Sequence, residues 1–539
     1  MLDEKTVWLF RIVAALLCGC FYFVSTAKML GVMQQSGYKN KKFFTWLRQK
    51  DNTYFSRLAY WSILSLAATA LFIFVFFFLQ EEFAMAMGGI PFFGFSILFY
   101  CMDRKFALKV ETVKSSRWKR LSVVYSLLVC GATLGLILLC GLLKPTLEMA
   151  DGWLSAIRFL PICFMPMLLP LVLALANLLI APFETWHNRN FVKKAGKVLA
   201  ASKCIKVGIV GSYGKTSVKN IFKQLLEKKY RTVATPASYN TPMGVARTVF
   251  SPEFAEAEIF LCEMGARNEG DIRELCDLVR PDYILFTGVC PQHVQTFGDE
   301  ETVFRTKCEA LASSAKTVVC GGALQSRIAA AYPQYVEKCL FVQGAEEVCF
   351  QATETQFSVP VDGEKIPLRT RLLGEAAVEN LSLAATAAKL LGLTGEEIAS
   401  AATEVQYVEH RLQLIESGGI YILDDAYNCN AKGAAAAIEV LKRFEKGKFV
   451  VTPGIVEAGV LHQELNGRLG EILAKAELDL VILVGETQAK VIIEGYKSAG
   501  GEESRLKLAP SVQHAVKLLQ GNLSKGDCVL FMNDLPDVL

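Results

Sequence analysis

The run Val207–Ser217, VGIVGSYGKTS, sets two glycines directly before a Lys-Thr pair. That combination suits phosphate chemistry: glycines let backbone N–H groups approach an anion, the lysine reaches the β/γ-phosphates of a nucleotide, and the next hydroxyl ligands Mg²⁺. Ile205–Val210 before it is a short apolar run typical of a buried parallel strand. Behind it Val218, Ile221, Phe222, Leu225 and Leu226 recur at helical spacing. Gly211, Ser212, Gly214, Lys215, Thr216 and Ser217 are therefore expected to bind ATP, with Lys215 acting on the transferring phosphate and Thr216 on the metal.

Later apolar runs end in polar side chains in the same way. IFLCEMGA (Ile259–Ala266) delivers Glu263, YILFTGVCPQHVQTFG (Tyr283–Gly298) leads to His293, and IYILDDAYNCN (Ile420–Asn430) ends in Asp425, Tyr427, Asn428 and Asn430. Parallel α/β sheets hold ligands at the carboxyl ends of their strands. Taken singly, each has a plain structural account: a solvated carboxylate, a surface histidine, an Asx turn opening a helix. Their order behind one phosphate loop argues for a shared site.

The common loop G-x-x-x-x-G-K-[ST] would need glycine where this chain has Ile209. The shorter form G-x-x-G-K-[TS] resembles the ATP-dependent Mur ligases and their folylpolyglutamate synthetase relatives, and VGIVGSYGKTSVKNIF looks most like the MurF branch, which adds D-Ala-D-Ala. SYNTPMGVARTVF (Ser238–Phe250) is similar to the family's N-N-x-x-G-x-P loop, with Asn240 and Gly244 kept and Thr241 and Ala246 departing. The resemblance implies that Glu263 and His293 lie on the metal side. It also implies that Lys307, in FRTKCEAL, stands where relatives carry a lysine carbamylated by CO₂ that helps bind a second Mg²⁺; a carbamate is a hard anionic oxygen ligand. On the nucleotide side Gly374 and Asn380 match, whereas Ala376 and Ala377 stand where His and Asn are usual. Arg411 matches an arginine that reaches phosphates across the domain boundary, and Asp425 a residue near the ribose. DDAYNCN follows D-D-x-Y-N-x-N-P with Ala431 for the proline. VTPGIVEAG keeps Glu457 but lacks the family's aspartate, and Met532 takes a lysine position, so substrate contacts there are expected to differ.

These elements imply two α/β domains, a P-loop central domain over 204–411 and a Rossmann-like C-terminal domain over 412–539. In the latter, strand-like runs Phe449–Thr452, Leu480–Val484 and Cys528–Phe531 alternate with helical stretches near His462–Ala476, Thr487–Lys497 and Val512–Leu519, the pattern of a doubly wound sheet.

The first part of the chain is different in kind. Mean hydropathy is +0.32 and 52% of the residues are hydrophobic, the excess falling before about residue 185. Five stretches reach the roughly 20 apolar residues a span needs: Trp8–Met29, Leu58–Leu79, Phe83–Met102, Leu121–Leu143 and Ile157–Ala181. Lys39, Lys41, Lys42, Arg48 and Lys50 lie after the first, and Arg104, Lys105, Lys109, Lys114, Arg117, Lys119 and Arg120 after the third. Basic loops stay on the cytoplasmic side. A five-span α-helical membrane domain (1–185) with its N-terminus outside is therefore expected in a cell membrane. A basic connector (186–203) would lie along the inner leaflet, and the catalytic domains in the cytoplasm. Sixteen scattered cysteines suit reduced thiols, and a net charge of +4 with no basic stripe argues against nucleic acid.

Together the resemblance and the residues point to an ATP- and Mg²⁺-dependent acid–amino acid ligase. Its partners would be a carboxylate-bearing envelope precursor, lipid-linked or handed over at the membrane, and an amino acid or dipeptide amine donor. The resemblance stops at the membrane half, where MurF-type enzymes carry a soluble domain for the UDP part of their substrate. A poly-γ-glutamate-type synthetase, an ATP-driven transporter or sensor, and a ligase-like scaffold without turnover remain the competing readings.

Overall fold

The computed structural model describes residues 4–48, 52–75, 94, 97–104, 112–142, 162–237, 239–289, 299–426, 431–456, 461–486 and 488–533. The chain divides into a helical unit over residues 1–188 and an α/β unit over 189–535.

In the helical unit the long elements are Glu4–Ser25, Ala27–Gln35, Tyr54–Val75, Ser116–Leu142 and the start of Met165–Ala201. Its surface is inverted relative to a bundle in water. Leu127 is 67% exposed and Leu178 62%, while Thr26, Ser65 and Thr133 are fully buried. These hydroxyls return to the carbonyl one turn back, Thr26 to Tyr22, Ser65 to Trp61 and Thr133 to Val129, which satisfies them without water. Ser116–Leu136 and Met165–Ala201 are long and apolar enough to cross a membrane, and Ala15–Ser25 with Ala27–Gln35 makes a third candidate if that pair, bent by 44°, is one span. Among the described residues this is fewer than the five spans expected. The first expected span is broken at Thr26, and the expected spans 58–79 and 83–102 run into residues outside the described set.

The α/β unit opens with β1 (Ile205–Val210), followed by β2 (Thr232–Ala234), β3 (Ile259–Glu263), β4 (Tyr283–Phe286), β5 (Thr317–Cys320) and β6 (Cys339–Phe341). They form one sheet in the order β2-β3-β1-β4-β5-β6, every neighbouring pair parallel. All five residues of β3 are buried, as befits strands covered on both faces. Because β1 is flanked by β3 and β4, the loops leaving these three strands open at one edge of the sheet, where the topology reverses. The helix Lys215–Leu226 packs Val218, Phe222, Leu225 and Leu226 into a core shared with the helices Glu375–Leu390 and Gly395–Glu404 and with an antiparallel sheet of β7 (Glu346–Phe350), β8 (Thr355–Val361) and β9 (Glu364–Thr370).

The second large sheet contains β10 (Gln413–Ser417), β11 (Ile420–Asp425), β12 (Lys448–Thr452), β13 (Leu480–Val484), β14 (Leu506–Ala509) and β15 (Cys528–Met532) in the order β10-β11-β15-β12-β13-β14. Only β10 pairs antiparallel. The helices His462–Lys475, Ala489–Ser498 and Val512–Gln520 fall within two residues of their expected bounds. Met532 is 1% exposed inside this domain's core, so it packs the sheet.

Candidate nucleotide and metal site

The phosphate loop leaves β1 at Gly211, whose φ is +150°, and enters its helix through Gly214, the N-cap residue at φ +73°. A Cβ on Gly211 would stand 2.1 Å from Thr287 Oγ1, at the end of β4, and one on Gly214 2.6 Å from Asn380 Oδ1. Close approach to the Gly288 backbone and φ together require glycine at 211, and φ requires it at 214, where the neighbour is the end of the Asn380 side chain. Thr287 donates its hydroxyl to the Tyr213 carbonyl, and Ser212 N–H donates to Gly288 O at 2.8 Å, tying the loop to the strand beside it. Lys215 Nζ donates to the loop carbonyls of Gly211 (2.8 Å) and Ser212 (3.1 Å). Ser212 Oγ is buried without a hydrogen-bond partner, a cost that a bound phosphate oxygen would remove. The loop fits a phosphate on that observation.

Glu263, at the end of β3, is 2% exposed. Its Oε2 accepts from Thr216 Oγ1 at 3.0 Å and from Lys219 Nζ at 3.0 Å, and its Oε1 from Asn240 Nδ2 at 3.3 Å. Asn240 comes this close because residue 265 is glycine: a Cβ there would stand 2.6 Å from Asn240 Cγ. Next to Asn240, Thr241 caps the helix Pro242–Val249 by accepting from Gly244 N–H. That is the local job of the residue that departs from the family loop. Among the described residues no three His, Cys, Asp or Glu side chains gather as a metal cluster. What the chain offers a cation here is one carboxylate beside one hydroxyl. Mg²⁺ takes such a hard, sparse donor set when substrate phosphates and water complete its shell.

Lys307 lies on the helix Glu300–Cys308 and is 4% exposed. Burial, and then the nearby Lys215 charge, pull its ammonium down to about 7, against weaker support from Asp271 and Glu309. A lysine so placed gives up its proton more readily than an exposed one.

A cavity of about 210 Å³ adjoins the loop, lined on the central-domain side by Tyr213, Gly214, Ser217 and Asn380, and beyond it by Arg411, Asp425 and Lys432. Ala376 and Ala377 also line it, so the departures from the family's His and Asn fall on the cavity wall. Lys432 stands over the Tyr213 ring at 5.0 Å. Asp425 Oδ1 accepts from Leu412 N–H at 3.1 Å, holding the residue after Arg411.

Of the residues expected at the site, the structure brings Gly214, Ser217, Asn380, Arg411 and Asp425 to one cavity, and Thr216 to Glu263. His293, Tyr427, Asn428, Asn430 and Glu457 lie outside the described residues. Lys219, Thr235 and Thr287 were not singled out in the sequence; Thr235 Oγ1 accepts from Glu263 N–H at 3.1 Å. A lysine on the apolar side of an amphipathic helix, one turn after Lys215, was the signal that could have found Lys219.

A phosphate loop in a parallel sheet, a carboxylate at the neighbouring strand end, and a cavity to which the linker contributes an arginine and the second α/β domain an aspartate define a two-domain nucleotide-using enzyme. Residues 209–388 match the Mur ligase middle domain, and residues 410–534 the Mur ligase glutamate ligase domain. The chain belongs to the Mur ligase family, whose members are ATP-dependent ligases. It is 26% identical over 334 residues to the UDP-N-acetylmuramoyl-tripeptide--D-alanyl-D-alanine ligase of Bacillus subtilis (strain 168), spanning 60% of this chain and 72% of the relative. To the enzyme of that name from Escherichia coli (strain K12) it is 25% identical over 333 residues, spanning 58% and 73%. The crystal structure of the Thermotoga maritima MurF ligase in complex with ADP superposes with a TM-score of 0.57 at 24% identity, over 64% of this chain and 80% of that one. MurF from Acinetobacter baumannii gives 0.57 at 21%, over 64% and 77%.

Proposed function

We propose that the chain is a membrane-anchored, MurF-like ligase that uses ATP to join a carboxylate of a peptidoglycan precursor to the amine of an amino acid or dipeptide. The observation that carries this reading is the 3.0 Å contact between the Thr216 hydroxyl and Glu263 beside the phosphate loop, with Arg411 and Asp425 on the wall of the adjoining cavity. The relatives named above act, by their names, on UDP-N-acetylmuramoyl-tripeptide and D-alanyl-D-alanine, and that substrate class is assigned here.

A carboxylate is a poor electrophile, so the chemistry needs activation. The substrate carboxylate oxygen attacks the γ-phosphorus of ATP, the bond to the β-phosphate oxygen breaks, and ADP leaves with that electron pair. The amine then attacks the acyl carbon of the acyl phosphate, inorganic phosphate departs, and the amine loses a proton to give the amide. Lys215 and Arg411 supply positive charge to the transferring phosphate, and the loop glycines let backbone amides approach it. Thr216 and Glu263 would hold Mg²⁺, which when bound neutralises charge developing on the phosphates. Lys307 and His293 are assigned to the second metal position. There the neutral Lys307 amine adds to CO₂ and releases a proton, giving an anion that the Lys215 charge attracts, where the Lys307 ammonium would be repelled by it.

The anchor is supported by the two long apolar helices and by the inverted surface of the first unit, with leucines outward and hydroxyls inward. An acceptor at the bilayer surface follows from that anchor. The test is release of phosphate from ATP by the full chain, measured with carboxylate and amine pairs added singly and together. Turnover that requires both supports the ligase. Turnover indifferent to every such pair, together with envelope precursors of unchanged mass in cells lacking the protein, would sink it.

A further inference from the structure

We propose that Lys219 is the internal counter-cation of Glu263, and that it reserves this carboxylate for magnesium arriving with the nucleotide, so that the ligand-free protein has little affinity for the free ion. The inference rests on reading Thr216 and Glu263 as magnesium-side residues.

Lys219 sits one turn beyond Lys215 on the same helix, yet the two lysines do opposite things. Lys215 stays at the loop, whereas Lys219 is 1% exposed. Its Nζ is 3.0 Å from Glu263 Oε2 and also donates to the Ala237 carbonyl. Ala237 holds a left-handed backbone (φ +44°), a strained conformation for a residue with a Cβ that the bond to Lys219 helps to hold. An ammonium so bonded does not reach a nucleotide; it is a positioning residue.

The count of acceptor sites gives the consequence. An ionised carboxylate offers about four lone-pair directions, and Lys219, Thr216 and Asn240 take three of those on Glu263. In charge, the buried pair sums to zero, and Lys215, one turn earlier on the same helix, holds a second cation at the loop. A free dication therefore meets a neutral pair and a repelling lysine. Carried on a polyphosphate, it brings anionic oxygens that satisfy Lys215 and complete its own shell. Without Lys219 the carboxylate would be left buried and unpaired, which is costly, and a free divalent cation would become the available remedy.

The experiment is thermal unfolding and calorimetric Mg²⁺ titration of the full chain in mild detergent, with MgCl₂ alone, ADP alone and both. The wild type is expected to gain no Tm with MgCl₂ alone and to gain more with MgCl₂ and ADP together than with ADP alone. Lys219→Met should lose Tm without ligand, regain it with MgCl₂ alone, and bind the free ion about tenfold or more tighter than the wild type. Lys219→Arg keeps the charge, so its response to MgCl₂ alone should stay that of the wild type, whatever its larger side chain does to the ligand-free Tm. The double variant Lys219→Met with Glu263→Gln, which carries neither charge, should recover ligand-free Tm without any response to MgCl₂. A wild type stabilised by MgCl₂ alone, or a Lys219→Met variant that responds as the wild type does, overturns the proposal. So does failure of both the single and the double variant to fold, because the lysine would then serve the Ala237 loop and not the carboxylate. If the wild type does not respond to MgCl₂ with ADP, it is the nucleotide-site reading that falls; if it responds and the variants do not differ, only the role of Lys219 falls.

Discussion

His410 Nδ1 stands 2.8 Å from Asp424 Oδ2, a contact that pins the linker between the two α/β domains to the end of β11. His410 and Leu412 both hold left-handed φ, +59° and +49°, and between them lies Arg411, on the cavity wall. Two non-glycine residues in this region cost about 1–2 kcal/mol each, so the His410–Asp424 contact and the Leu412–Asp425 bond offset strain that aims the arginine. Asp424→Ala is expected to raise KM for ATP about tenfold while leaving the central domain folded, because a slightly misplaced phosphate ligand is enough for such a loss. Steady-state kinetics at varied ATP check it; an unchanged KM would mean that the linker strain is not coupled to the site.

Gly211→Ala should disable the loop without touching any charged group. The new Cβ would fall 2.1 Å from Thr287 Oγ1 and 3.0 Å from the Gly288 carbonyl, and the φ of +150° is itself unfavourable for alanine. A shift of Thr287 relieves only the first clash. The expected result is loss of nucleotide affinity by at least about tenfold, with a destabilisation of about 1–3 kcal/mol, read by calorimetry and by thermal unfolding.

Lys215→Ala removes the cation from the transferring phosphate and is expected to lower kcat by about 10²–10³-fold. Lys215→Arg should not restore it, because the guanidinium cannot repeat the bonds of a compact ammonium to the Gly211 and Ser212 carbonyls.

Lys307 sets a pH dependence whose sign can be worked out. Its ammonium is held at about 7, well below the 10.5 of an ordinary lysine, by burial first and Lys215 second. Between those values the unfolded chain binds a proton that the folded chain does not, so the stability contribution is present at high pH and is lost as pH falls from about 10.5 towards 7. Relative to the wild type, Lys307→Met should be more stable near pH 7 in the absence of bicarbonate, the difference closing towards pH 10. The neutral amine fraction rises from roughly a tenth at pH 6 to about half at pH 7. A ¹³C carbamate resonance from labelled bicarbonate should rise with it and be missing in Lys307→Arg.

Fractionation checks the anchor. The full chain is expected in the membrane pellet after alkaline carbonate washing and in solution only with detergent. Release by carbonate alone would mean that the apolar helices bury against protein and not in lipid.

Much of this architecture could be read locally. The glycine spacing before Lys215, the apolar run ending at Glu263 and the alternation of strands and helices after residue 448 each depend on a few neighbouring residues, and periodicity carries that information directly. By composition alone the chain also declared its two regimes, one hydrophobic and one ordinary. What it did not disclose are contacts made by residues far apart in the chain. Lys219 meets Glu263 across 44 positions, and Thr287 reaches Tyr213 across 74; only the order of β3, β1 and β4 brings those pairs together. The bend at Thr26 and the burial of Met532 likewise depend on packing, because hydropathy measures how apolar a segment is and not where it breaks or what it touches. Sequence determined which chemistry the loop residues can do; the sheet order decided which distant side chains hold them in place.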